Sequence, residues 1–128
     1  METMKSLKGL RILLVEDDLL SLEAYQTFLS MEGATVESAT SVAAASNVMA
    51  YWLPDVIVSD IGLPDEDGYS LIHKVRSNPS WNKIHAIAVT GYSDTARTLE
   101  SGSQEVMKKP LSPQMLVNTL KQFLRDKS

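Results

Sequence analysis

The chain has 128 residues, 44% of them hydrophobic and 22% charged, which is enough to bury the core of one compact domain and too apolar for a disordered segment. It contains no cysteine, so disulfides and thiolate metal sites are excluded and any metal must sit on oxygens. At net charge −4, with scattered basic residues and no apolar run of signal-peptide or membrane-span length, it reads as a cytoplasmic protein with no direct nucleic-acid or membrane partner.

The first predicted strand is "RILLVE" (11–16), which runs into Asp17 and Asp18. Leu22, Tyr25, Phe28 and Leu29 follow at helical spacing, with Asp18 suited to cap that helix and Gly33 to end it. "TVESA" (35–39) is the second strand, and Val42, Ala45, Val48, Met49 and Trp52 mark a second helix that stops before Pro54. "VIVSD" (56–60) lacks the polar alternation of a half-exposed strand and is expected to be central and parallel, covered on both faces. Leu71, Ile72, Val75 and Arg76 define a third helix closed by "NPS" (78–80), before a fourth strand, "HAIAVT" (85–90). A short fourth helix is expected from Ser93 to Leu99, then a fifth strand, "EVMKK" (105–109). Ser112 as N-cap and Pro113 in the first turn signal a terminal helix.

Strand and helix alternate throughout, so the expected fold is a doubly wound α/β sheet of five parallel strands. It forms one domain over residues 1–128 with its core at about 10–125. In such sheets a ligand binds outside the carboxyl ends of the strands. Those ends carry Glu16 and Asp17, then Asp60, then Thr90 with Gly91, then Lys108 and Lys109 with Pro110. Crowded carboxylates raise one another's pKa unless they share a cation, and oxygen ligands favour a hard ion such as Mg²⁺. Thr90 offers a hydroxyl and Lys109 a compact positive charge, both suited to phosphoryl oxygens, while Gly91 leaves room for the group to enter. Asp60 is then a candidate nucleophile.

The neighbours of these residues carry plainer readings. Asp18 is a helix cap, Lys108 a solvated surface residue on the opposite side of its strand from Lys109, and Asp65, Glu66 and Asp67 a solvated loop. His73 and His85 are isolated, and Trp52 and Trp81 are packing residues.

From "ILLVEDD" through "SDIGLPDEDGY" and "AVTGYS" to "KKPLS" the chain resembles the receiver domains of two-component response regulators, particularly those attached to hybrid sensor histidine kinases. Thr90 lies thirty residues after Asp60 and Gly68 eight after it, the offsets at which receivers carry their hydroxyl residue and their loop glycine. The resemblance implies a flavodoxin-like fold with strand order 2-1-3-4-5. It implies that Asp60 is the phosphoacceptor, with Thr90 as switch hydroxyl and Lys109 as phosphate-binding lysine. Mg²⁺, or Mn²⁺ in its place, would be held by Asp17, Asp60, the backbone carbonyl of Gly62 and, largely through water, Glu16. The Lys109–Pro110 bond would be cis.

The implied partner is a sensor histidine kinase or a histidine phosphotransfer protein, and the implied role a phosphorelay switch rather than an enzyme that turns over a separate substrate. Two other classes stand beside it: a receiver-like interaction module that no longer uses phosphate, and an aspartate-nucleophile phosphatase. The latter calls for a second aspartate two positions after the first, where this chain has Gly62.

Departures from the family pattern matter as well. Thr90 and Lys109 are only 19 positions apart, roughly one helical turn short of the usual interval, which implies a shortened fourth helix. Val106 stands where the family often carries an aromatic residue, and Gly62 and Tyr92 occupy positions that tune access of hydrolytic water. The family's dimer through the output face is therefore not carried over, and the oligomeric state stays open.

Overall fold

A computed structural model of the chain describes residues 6–66, 68–91 and 102–127. Five strands, β1 (Arg11–Val15), β2 (Thr35–Ala39), β3 (Val56–Asp60), β4 (His85–Thr90) and β5 (Glu105–Lys108), form one sheet in the order β2-β1-β3-β4-β5. Every pairing is parallel, with Leu13 opposite Ile57 and Ser59 opposite Ala88. Among the described residues, four helices, α1 (Leu19–Met31), α2 (Val42–Met49), α3 (Gly68–Ser77) and α4 (Pro113–Lys127), cover it. The expected helix at Ser93 to Leu99, like Tyr92 and Asp67, lies outside the described residues.

The alternation of side chains along each strand divides the core into two layers. Ile12 and Leu14 of β1, Val56 and Val58 of β3, and Ile87 and Val89 of β4 pack with Leu22 and Leu29 of α1 and Leu116 and Leu120 of α4. Leu13, Val15 and Ile57 point the other way, onto Val42, Ala45 and Val48 of α2 and Leu71 and Val75 of α3. All five residues of β3 are buried, which is why "VIV" carries no polar alternation. Leu7 is fully buried too and packs with the first of these layers. Its N–H donates to the Glu32 carbonyl at 2.8 Å, which ties the amino-terminal turn to the end of α1.

Helix ends follow their capping residues. The Asp18 carboxylate accepts from Ser21 N at 3.3 Å, Ser41 Oγ from Ala44 N at 3.1 Å, and Ser112 Oγ from Met115 N at 3.2 Å. Gly33 leaves α1 with φ of 95°, a left-handed turn that glycine makes without steric cost. Helix α2 stops at Met49 instead of continuing to Trp52, whose N–H still reaches the Val48 carbonyl at 2.9 Å. Trp52 and Trp81 pack against the layer of α2 and α3, as expected of them. Phe28, placed by its spacing on the apolar face of α1, is 43% exposed. Among the described residues, no helix is long and apolar enough to cross a membrane.

Candidate functional site

The carboxyl edge of the sheet gathers the residues singled out in the sequence. β1 stops at Val15, so Glu16 and Asp17 occupy the first two positions beyond it, while Asp60 ends β3 and Thr90 ends β4. Glu16, Asp60 and Thr90 are all buried, whereas Asp17 is exposed at the rim. One carboxylate oxygen from each of Glu16, Asp17 and Asp60 lies within 4.8 Å of the other two.

β5 likewise ends one residue early, at Lys108, which is exposed. Lys109 follows, joined to Pro110 by a cis bond. Its N–H donates to the Thr90 carbonyl at 2.9 Å, continuing the β4–β5 ladder by one step. From there its ammonium reaches Asp60 Oδ2 at 2.9 Å and Glu16 Oε1 at 3.7 Å. The other Asp60 oxygen, Oδ1, accepts from Gly62 N at 3.1 Å, so both oxygens of the carboxylate are held. A Cβ added at Gly62 would lie 4.0 Å from Asp60 Oδ1, and one at Gly91 would meet nothing within 4 Å.

These contacts divide the charge unequally. Burial lifts the Glu16 carboxyl from its ordinary 4.5 to about 8, with the hydrogen bond and negative charge of Asp60 adding to the rise and Lys109 opposing it. Burial pushes Asp60 upward as well, but hydrogen bonds from Glu16, Lys109 and the Gly62 backbone outweigh it and hold Asp60 below its ordinary value. Burial alone would lower Lys109, yet its hydrogen bond to Asp60 and the charges of Asp60 and Glu16 raise it. Glu16 thus keeps its proton at neutral pH while Asp60 is the anion.

Three convergent carboxyls, one of them kept protonated by burial and by the neighbouring Asp60, form a donor set that a hard, oxygen-loving divalent ion completes. The acidic edge therefore fits Mg²⁺ in the ligands it offers. A lysine beside it supplies the charge for an anion.

Two polar contacts beside the site were not legible from spacing. Tyr25, which reads as a core position of α1, donates its hydroxyl to the Leu111 carbonyl at 2.8 Å. Its only signal in the sequence is that a phenol among apolar side chains requires a partner. Asp65, which reads as part of a solvated loop, accepts from Val42 N and Ala43 N at 3.0 Å each, so the loop after β3 caps the start of α2. Glu66, beside it, pairs with Ser70 at 2.6 Å and Lys74 at 3.0 Å on α3, as a surface residue would.

The model of the response regulator receiver domain family matches residues 12–121. The chain is 33% identical over 123 residues to an uncharacterized 14.6 kDa protein in the sodA1 3′ region of Leptolyngbya boryana, covering 94% of each. It is 35% identical over 123 residues to the transcriptional regulatory protein GltR of Pseudomonas aeruginosa, covering 94% of this chain and 51% of GltR, and so spans about half the length of that regulator. The solved signal receiver domain of a signal transduction histidine kinase from Syntrophus aciditrophicus aligns with a TM-score of 0.85 at 29% identity, over 92% of each chain. With this match over most of its length, and with acids and a lysine at the carboxyl edge of a 2-1-3-4-5 sheet, the chain belongs to the response regulator receiver domain family of two-component systems.

Proposed function

We propose that the chain is a phosphorylation-controlled switch whose acceptor is Asp60 and whose donor is a phosphohistidine on a sensor histidine kinase or a histidine phosphotransfer protein. One observation supports this above the others. The buried Asp60 carboxylate has Lys109 Nζ at 2.9 Å and carboxylate oxygens of Glu16 and Asp17 within 4.8 Å.

In the transfer, an Asp60 oxygen attacks phosphorus and a P–O bond forms. The P–N bond breaks, and its electron pair leaves on the imidazole nitrogen. Asp17, Asp60, the Gly62 carbonyl and, largely through water, Glu16 would hold Mg²⁺ or Mn²⁺, which would supply positive charge to the phosphoryl oxygens.

The chain's own residues do the positioning. Lys109 and the Gly62 N–H grip the two Asp60 oxygens, so the nucleophile is oriented before a donor arrives. An ammonium has three donors, which lets Lys109 keep Asp60 while reaching for a phosphoryl oxygen. Thr90, at the end of the adjacent strand, offers its hydroxyl to another. Thr90 and Lys109 are joined through their backbones, so drawing both towards a modified Asp60 alters the β4–β5 edge presented to a partner.

Beryllofluoride mimics a phosphoryl group on a carboxylate. Added with Mg²⁺, it should shift the amide resonances of Gly62, Thr90 and Lys109 in the wild type and leave those of Asp60→Asn in place. Equal shifts in the two proteins would overturn the assignment of the acceptor.

A further inference from the structure

Tyr25 sits on the face of α1 that packs against the layer containing α4. Its hydroxyl reaches past the apolar side chains to the Leu111 carbonyl at 2.8 Å. Leu111 is buried and is the second residue after Lys109, so the bond lands on the backbone that carries the lysine. The other end of the same three residues is fixed by the Lys109 N–H on the Thr90 carbonyl at 2.9 Å. A segment of this length, held at both ends, gives its first side chain one point of departure. Lys109 needs that, because a single ammonium must stand 2.9 Å from Asp60 and 3.7 Å from Glu16.

Tyr25 also shares a small cavity with Glu16, Asp60, Lys109 and Leu111, so it lies directly beneath the charged edge. Burial, helped by the negative charge of Glu16, raises its phenol above the ordinary 10.0, so the hydroxyl is a donor at neutral pH.

We propose that Tyr25 is a positioning residue for phosphoryl transfer, which through the Leu111 carbonyl fixes the backbone from which Lys109 reaches the acceptor. The inference rests on the reading of Asp60 as that acceptor. Tyr25 touches none of the reacting atoms and acts through the lysine. Without its hydroxyl, the Leu111 end of the 109–111 segment keeps its apolar packing but loses its backbone hydrogen bond, and the ammonium is less often in register with Asp60.

Tyr25→Phe keeps the ring in the core and removes only the donor, and two measurements on the full chain decide the matter. The first is the side-chain NMR signal of Lys109, for which Asp60→Asn gives the position expected when the Lys109–Asp60 contact is lost. Tyr25→Phe should move the signal part of the way there, and an unmoved signal overturns the proposal whatever Asp60 does chemically.

The second is beryllofluoride affinity with Mg²⁺ in a double-mutant cycle with Lys109→Ala. Tyr25→Phe should weaken binding about three- to tenfold while the lysine is present, and have no effect once it is gone. The same loss in both backgrounds would mark a merely structural role and also overturn the proposal. If the wild type does not bind beryllofluoride at all, the acceptor reading fails instead, and the Lys109 signal alone decides the role of Tyr25.

Discussion

Glu16 and Asp60 are both buried and share a hydrogen bond, yet their carboxyls shift in opposite directions, and that asymmetry has a measurable consequence. The folded chain keeps on Glu16 a proton that the unfolded chain has released above 4.5, and it keeps it up to about 8. Between those values the folded state binds more protons, so this group's contribution to metal-free stability is present below the window and is lost as pH rises through it. A divalent ion on these carboxyls must displace the same proton. Mg²⁺ should therefore bind more tightly at about pH 9 than at about pH 6, releasing about one proton per ion at the lower pH, and should raise Tm more at the higher pH. Calorimetric titration in buffers of different ionisation enthalpy counts that proton. Glu16→Gln should flatten the pH slope, and an affinity independent of pH in the wild type would contradict this account of the site.

At the scale of elements, the loop after β3 is fastened to α2. Asp65 places a carboxylate on two N–H groups at the start of that helix, where helix partial charge is positive, and Ser41 caps the next one. Hydrogen bonds from Ala43, then Val42, hold the Asp65 carboxyl below its ordinary 3.8. Its stabilising contribution is therefore present above that value and is lost as pH falls through the lower folded-state value. Asp65→Ala should lower Tm at neutral pH, with the gap to wild type narrowing in acid. A gap that is constant down the acid limb would show that the charge is not what matters.

This capping was hidden in the sequence because it joins residues 23 positions apart on separate elements, while locally "PDEDG" reads as turn chemistry. The bond from Tyr25 to Leu111 spans 86 positions and was hidden for the same reason. The strands and caps were legible, since "VIVSD", Asp18, Ser112 and Pro113 each declare themselves within a few residues. Glu16, Asp60, Thr90 and Lys109 were legible as a group only because a parallel sheet sends every strand's carboxyl end to one edge.

At the scale of the molecule, one sheet is the shared wall of two apolar layers. β1 and β3 contribute to both, so neither layer can open without exposing the other side of the same strands. Unfolding should then be a single transition: urea curves followed by the fluorescence of Trp52 and Trp81, on the α2–α3 side, should coincide with the loss of helical signal from the whole chain. Leu71→Ala, which empties a fully buried position on that side, should cost roughly 2–5 kcal/mol and move both curves together. Separate midpoints would mean that the layers are independent. That common wall holds Asp60 rigidly among charges supplied by two other segments of the chain, Glu16–Asp17 and Lys109, and the central claim is that it does so to accept a phosphoryl group. The most direct test is incubation with acetyl phosphate and Mg²⁺ followed by intact-mass measurement and fragment mapping of wild type and Asp60→Asn. The account predicts the gain of one phosphoryl group on the fragment containing Asp60 and none in the variant. An equal gain in both proteins, or a modified fragment that lacks residue 60, would contradict it.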